Sequence, residues 1–399
     1  MYQVYCRMYQ RTYKFVSRFL SWRKPELIEG ENSIRKLPRL VKNKKINCAL
    51  IITDKGITAI GLINELLKGL EEVEVTYNVY DKTVPNPTID NIEEALKIYH
   101  ENNCECIIAF GGGSPIDCAK AVGARVARPD KTIEQMKGQL KVKKETPPLF
   151  VVPTTSGTGS EATVAAVVSD SKTHEKYAIN DTVLIPDVAV LDPMLTINLP
   201  PHITSTTGMD ALTHAIEAYI GRSNTDETRR YSIEAVKLIF ENLYEAYSNG
   251  TNVDARKKMQ RASYLAGMAF TRAYVGNVHA IAHTLGGFYS IPHGLANAII
   301  LPYVLEYYGD SVRNELSELA DLVGIGEEHD SKTQKARKFI EAIKKLNHDM
   351  DIPKKVNGIV DTDIPLMVKR ALKEANPLYP VPKILNQKEM LQLYQIIKE

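Results

Sequence analysis

Between residues 46 and 192 the chain alternates short β-branched runs with stretches of helical spacing, and that rhythm leaves few folds open. INCALIITD (46–54), VEVTYNVYD (73–81), CECIIAF (104–110), PLFVVPTT (148–155) and VAVLDP (188–193) read as strands. Helical periodicity fills the intervals in ITAIGLINELLKGL, in IDNIEEALKIYHEN and in the stretch that follows GGGSP. Apolar strands separated by helices predict a mostly parallel sheet covered on both faces. After LDPMLTINLPP the texture changes. From about Pro201 onward the segments have helical period and few strand-like runs. The expectation is a basic extension over 1–24, an α/β domain over 25–200 and an all-α domain over 201–399.

With 399 residues and 44% apolar content, the chain can bury two sizeable cores. A formal charge of +2 argues against a role that rests on phosphate contacts to nucleic acid. Five scattered cysteines, Cys6, Cys48, Cys104, Cys106 and Cys118, form no CxxC pair and suit the reducing cytoplasm. No apolar stretch approaches the roughly 20 residues of a membrane-spanning helix.

The first 24 residues carry six Lys/Arg and no Asp or Glu. On a helical wheel Arg7, Arg11, Lys14 and Arg18 share one face, opposite Tyr2, Tyr5, Tyr9, Tyr13, Val16 and Leu20. Lys14 and Arg18 interrupt any signal-peptide core. Such a helix suits either an anionic membrane surface or a protein partner, its own domain or a second subunit. The protein partner is favoured, because aromatic stripes more often face protein.

Two loops at strand ends suggest a cofactor. CECIIAF runs into Gly111, Gly112, Gly113 and Ser114, with a helix expected from Pro115, Ser114 as its N-cap and Asp117 completing a capping-box pattern. Glycines let backbone N–H groups approach a ligand, and a helix start favours phosphate. The strand at 148–155 likewise ends in a hydroxyl-rich turn with Thr154, Thr155, Thr158 and Ser160. Two such loops at the carboxyl ends of parallel strands point to a dinucleotide site, although neither is GxGxxG. Asp54 ends the first strand, where a carboxylate accepts from an adenosine ribose and repels a 2′-phosphate; this predicts NAD over NADP.

The helical half holds the other constellation. Asp210 and His214 lie four apart in GMDALTHAIEAY, and His279 and His283 lie four apart in VHAIAH, with His293 following Pro292. Four-residue spacing puts each pair on one helix face. The first pair is expected on a helix capped near Thr206 or Thr207; the second, on one broken at Gly286-Gly287. One carboxylate with three imidazoles suits Fe(II), Zn(II) or Mn(II), and five candidates leave one histidine for proton work. Beside a nicotinamide, such a metal would polarise an alcohol oxygen while the cofactor takes the hydride.

GGGSPIDCAK, PTTSGTGSE, GMDALTHAIEAY, VHAIAHTLGG and PHGLANAI, in this order and spacing, resemble the iron-containing (group III) alcohol dehydrogenases over roughly residues 25 to 390. The resemblance implies a Rossmann-like N-terminal domain, a helical C-terminal domain, a dehydroquinate synthase-like architecture and an active site in the cleft between them. It implies Asp210, His214, His279 and His293 as metal ligands and His283 as the proton-transfer histidine near the nicotinamide. Gly111, Gly112, Gly113, Ser114 and Asp117 match the diphosphate loop, and Thr154, Thr155 and Ser160 match the second cofactor loop. Asn86 and Lys176 fall at cofactor-contacting positions, and Asp54 matches the acidic residue of NAD preference. The implied cofactors are NAD and Fe(II), with Zn(II) compatible; the implied partners are a small alcohol or aldehyde and a second copy in a homodimer or larger homo-oligomer. The Tyr-rich N-terminus lies outside the match, and TRAYVGN carries Arg272 and Tyr274 where many members have smaller or less polar residues. Rival readings are a polyol, glycerol-type or sugar-acid dehydrogenase or a lyase on the same scaffold, or a non-catalytic nucleotide- and metal-binding regulator.

Overall fold

In the computed structural model, which describes residues 1–171 and 176–399, the chain divides into Ser21–Asn198 and a second unit of Met1–Leu20 with Leu199–Glu399. Helix α1 (Tyr2–Ser17) belongs to the second unit. The first unit runs β1 (Glu26–Glu29), α2 (Leu37–Asn43), β2 (Cys48–Ile52), α3 (Lys55–Ala59), α4 (Asn64–Glu72), β3 (Thr76–Tyr80) and α5 (Ile89–Glu101). It continues through β4 (Cys106–Gly111), α6 (Gly113–Ala127), β5 (Gly138–Gln139), β6 (Leu149–Pro153), β7 (Ala165–Ser169), β8 (Lys176–Asn180) and β9 (Val188–Leu191).

Six strands form one parallel sheet in the order β1-β9-β6-β4-β2-β3. The pleat explains the continuous apolar runs. Leu50, Ile52, Ile107 and Ala109 enter the core on one face, while Ala49, Ile51, Cys106, Ile108 and Phe110 enter that on the other. All five strands expected from sequence are in this sheet. The edge strand β1 escaped notice because four residues, ELIE, carry no readable period. A second sheet, β5-β8-β7, was likewise not expected; β7 and β8 alternate buried and half-buried residues over only five positions each. Strand order turns back between β2 and β4, and the ends of those strands, at Asp54 and at Gly111–Ser114, lie at that switch point.

The second unit continues with α7 (Pro201–Ile220), α8 (Asp226–Ser248), α9 (Val253–Ala273), α10 (Asn277–Tyr289), α11 (His293–Tyr308), α12 (Arg313–Leu322), α13 (Lys332–Asp349), α14 (Ile364–Ala375) and α15 (Gln387–Ile397). Helix α7 is buried from Gly208 to Ile220 without interruption, which marks it as central rather than amphipathic. It begins at Pro201, not at Thr206 or Thr207. Those hydroxyls lie inside the helix and donate to the carbonyls of His202 and Ile203 one turn back. Gly286 and Gly287 stay within α10, which ends at Tyr289 with Ser290 in the left-handed region. Pro292 precedes α11 as expected, and His293 is its first residue.

Helix α1 packs on this unit, but by the flank between its tyrosine stripe and its basic stripe rather than by the tyrosine stripe itself. Cys6 and Gln10 are its buried residues, while Tyr2 and Tyr5 stay more than half exposed. The surface it meets presents carbonyl oxygens, which need donors. Arg7 donates to the carbonyls of Val381 and Pro382, Gln10 to those of Pro377 and Tyr379, and Lys14 to those of Arg222 and Asn224. Of the tyrosine stripe, Tyr13 packs edge-on against Tyr274, at 5.7 Å between ring centroids.

Candidate metal centre and cofactor loops

Asp210, His214, His279 and His293 come together in the helical unit, with one ligand atom from each lying within 4.8 Å of all the others. Helix α7 supplies Asp210 and His214 from one face, α10 supplies His279 and the first residue of α11 supplies His293. All but the half-buried His293 are nearly inaccessible to solvent. The His214 ring stacks on Phe270 with centroids 4.1 Å apart, and it lies 4.5 Å from the His279 ring.

Three lone pairs of this group converge on one amide. Asn297 Nδ2 is 2.6 Å from Asp210 Oδ1, 3.2 Å from His279 Nε2 and 3.2 Å from His293 Nε2, while Asn297 Oδ1 is buried with no hydrogen-bond partner. An amide has two N–H bonds to offer three acceptors. A buried, acceptor-rich point of this kind fits a divalent cation, and a donor set of one carboxylate and three imidazoles suits Fe(II) or Zn(II).

The histidine ring nitrogens have their own supports. Glu217, one turn beyond His214 on α7, sits 2.6 Å from His279 Nδ1 and also accepts from the backbone N–H groups of Gly276 and Val278 at 2.7 and 2.8 Å. Those N–H groups belong to the open start of α10, so one carboxylate caps that helix and turns His279 Nε2 toward the cluster. A Cβ on Gly276 would lie 2.7 Å from Glu217 Oε1 and would have to displace that carboxylate.

His283, the fifth candidate, is not among the four. It lies one turn along α10 from His279, its ring stacked 5.1 Å from that of His293, and its Nδ1 is 2.6 Å from Glu374 Oε1 on α14. Burial alone would raise the Glu374 carboxyl, but the His283 imidazole and the Tyr379 hydroxyl together hold it below its usual value. Arg272 pairs with Glu227, and Tyr274 faces α1.

The α/β unit gathers the remaining candidates. Gly111 has φ +151°, and a Cβ there would lie 2.7 Å from the Pro115 ring; one on Gly113 would lie 2.7 Å from Thr158. The two loops thus touch through glycine. Thr154 N–H donates to the Gly111 carbonyl, and Thr155 approaches Gly112. Helix α6 starts at Gly113 with Gly112 as its N-cap, two residues before Pro115. Ser114 does not cap it, because its hydroxyl accepts from the Asn86 N–H at 3.1 Å. Asn86 Oδ1 in turn accepts from Lys176 at 2.7 Å, so Asn86, Ser114 and Lys176 form one chain of contacts. Asp54 caps α3 through Ile57 N–H, its other oxygen lying 3.6 Å from where a Gly111 Cβ would be.

Asp117 completes no capping box, since the N-cap of α6 is Gly112 with no side-chain cap bond, and it accepts from Ser160 at 2.7 Å. Beside it Lys120, fully buried, donates to Ser160 Oγ, to Thr163 Oγ1 and to the carbonyls of Thr163 and Ala165. Burial lifts the Asp117 carboxyl and lowers the Lys120 ammonium, each opposed by the other's charge. This polar core ties the second loop to α6.

Some of these partners were readable in sequence. Glu217 stands seven residues from Asp210, Asn297 four from His293, and Lys120 three from Asp117, all same-face spacings. Glu374 and Tyr379 lie over ninety residues beyond His283 and leave no local signal.

Comparison with known proteins agrees with this geometry. The iron-containing alcohol dehydrogenase profile matches residues 25–193, and the Fe-containing alcohol dehydrogenase family C-terminal profile matches residues 204–397. Alcohol dehydrogenase 4 of Saccharomyces cerevisiae is 40% identical over 350 residues, covering 87% of this chain and 90% of that one. The solved alcohol dehydrogenase from Oenococcus oeni superposes with a TM-score of 0.90 at 35% identity, covering 94% of this chain and all of that one. The sulfoacetaldehyde reductase from Bifidobacterium kashiwanohense, solved in complex with NAD+, superposes with a TM-score of 0.84 at 27% identity, covering 95% and 98%. With a parallel α/β unit, a helical unit and a buried carboxylate–histidine cluster in place, the chain belongs to the iron-containing alcohol dehydrogenase family and is an NAD-linked alcohol dehydrogenase.

Proposed function

We propose that Asp210, His214, His279 and His293 hold a catalytic divalent metal, Fe(II) first and Zn(II) as the compatible second choice, and that the substrate is a small primary alcohol or its aldehyde. When bound, the metal supplies Lewis acidity at the substrate oxygen and the nicotinamide supplies or accepts the hydride. The residues around the metal do the rest. Glu217 fixes the His279 ring, Asn297 holds Asp210, and Phe270 stacks on His214. His283, outside the ligand group and half-buried, moves the alcohol proton. In the α/β unit Gly111, Gly112, Gly113 and Ser114 receive the diphosphate, with Asp117, Thr154, Thr155 and Ser160 shaping the loops. Asn86 and Lys176 hold the coenzyme on the same side, and Asp54 accepts from the ribose and selects NAD. We further read the enzyme as a cytoplasmic homodimer. All five cysteines are free, and no helix among the described residues is long and apolar enough to cross a membrane.

One observation carries this reading: four ligand atoms of one carboxylate and three imidazoles share a 4.8 Å neighbourhood that excludes His283. Anaerobic purification, elemental analysis and an NADH-linked aldehyde screen with Fe(II) and Zn(II) added back separately test it. His279→Ala should lose bound metal, whereas His283→Ala should keep it and turn over slowly. A chain that binds neither metal, or a His279→Ala variant that binds as the parent does, would refute the assignment.

A further inference from the structure

We propose that Glu374 and Tyr379 are positioning residues for His283, and that the N-terminal helix α1 holds the segment that carries Tyr379. The inference rests on His283 being the proton-moving residue. Both histidines of α10 are treated alike: Nδ1 of each lies 2.6 Å from a glutamate oxygen, Glu217 for His279 and Glu374 for His283. A carboxylate oxygen accepts, so His283 Nδ1–H donates, and Nε2 is the nitrogen that keeps its lone pair. For His279 the freed Nε2 faces the ligand cluster; for His283 it is the nitrogen available to a substrate proton. The Glu374 oxygen that takes Nδ1–H also accepts from the Tyr379 hydroxyl at 2.8 Å, which fixes the carboxylate plane.

Tyr379 lies beyond α14 in a segment pinned from outside. Gln10 donates to the carbonyls of Pro377 and Tyr379 at 3.1 and 2.7 Å, and Arg7 donates to those of Val381 and Pro382 at 2.7 and 2.9 Å. Cys6, fully buried, packs with Val381, Ile384 and Tyr379. The buried face of α1 therefore bears on the segment two hydrogen bonds away from His283. This gives the basic N-terminal extension a use that its aromatic stripe does not.

The test compares Glu374→Ala, Tyr379→Phe, Gln10→Ala and His283→Ala in the metal-loaded enzyme. Glu374→Ala should lower kcat by about 10- to 100-fold with metal content and the KM for alcohol little changed. Tyr379→Phe and Gln10→Ala should lower kcat by less, in that order. In the His283→Ala background Glu374→Ala should have no further effect on kcat, an outcome that a merely structural residue would not give. In the Zn(II)-loaded protein the downfield His283 Nδ1–H resonance should disappear in Glu374→Ala and His283→Ala alike. Wild-type kcat in Glu374→Ala, loss of its metal, or an additive loss in the double variant would overturn the proposal while leaving His283 in its role. Wild-type kcat in His283→Ala would instead remove the reading beneath it.

Discussion

Gly294 gives the sharpest test of how the proposed metal site is assembled. It follows His293 in the first turn of α11, and a Cβ there would lie 2.4 Å from the Thr206 carbonyl oxygen and 2.9 Å from its carbon. Both are backbone atoms of α7, one turn before Asp210, and the same Cβ would sit 3.4 Å from Asp210 Cβ. No side-chain rotation relieves such a contact. To reach even the tight end of real Cβ contacts, 3.0 Å to 3.4 Å, Gly294→Ala must part α11 from α7 by roughly 0.6 to 1 Å. Metal–ligand distances tolerate only about 0.2 Å. The same movement that relieves the methyl group therefore draws His293 out of ligand range of the metal. We expect metal affinity to fall by about 100-fold, the scale of losses when a ligand is misplaced, and overpacking to cost about 1–3 kcal/mol of stability. Chelator competition under anaerobic conditions reads the first, and urea denaturation the second. Gly287→Ala is the internal control: it lies inside α10 and its Cβ would meet nothing within 4 Å, so helix propensity alone should make it neutral or slightly stabilising. If Gly294→Ala binds metal as tightly as Gly287→Ala, close approach of α7 and α11 does not set the ligand geometry and the reasoning fails.

Glu217→Gln should weaken metal binding by about 10- to 100-fold while the His283-dependent proton step in metal-saturated enzyme is spared; equal chelator resistance in variant and parent would show that the His279 ring needs no such support. Lys120→Met leaves Asp117 and Glu161 buried without their cation and strips four acceptors of their donor, so urea denaturation should show a loss of about 3–5 kcal/mol, with NADH binding weakened through Ser160. A loss below about 1 kcal/mol there would mean that the polar core between the cofactor loops is dispensable.

The proposed ligand residues were legible as a group because each pair is local. Asp210 with His214, and His279 with His283, announce themselves at one helical turn, and Pro292 marks the return that presents His293. Which of the five stands apart was not legible from spacing alone. The family resemblance implies that choice in sequence, and in the structure the ligand atoms of Asp210, His214, His279 and His293 lie within 4.8 Å of one another in a group that does not include His283. The sheet was legible for the same reason as the pairs, since each central strand reads as an apolar run. The edge strand and the three-stranded sheet failed because their elements are two to five residues long and half-buried. Capping went wrong in an instructive way. Ser114, Thr206 and Thr207 each have the residue type of an N-cap, yet each hydroxyl has a nearer partner: the Asn86 amide for Ser114, and carbonyls one turn back for the two threonines. The N-terminal helix misled in the opposite sense. Its aromatic stripe suggested an apolar seat, but what it covers includes the backbone carbonyls of Pro377, Tyr379, Val381 and Pro382 and those of Arg222 and Asn224, and satisfying those calls for Arg7, Gln10 and Lys14. Hydrophobic pattern shows which face of an element can be buried; the hydrogen-bonding needs of its neighbour decide which face is.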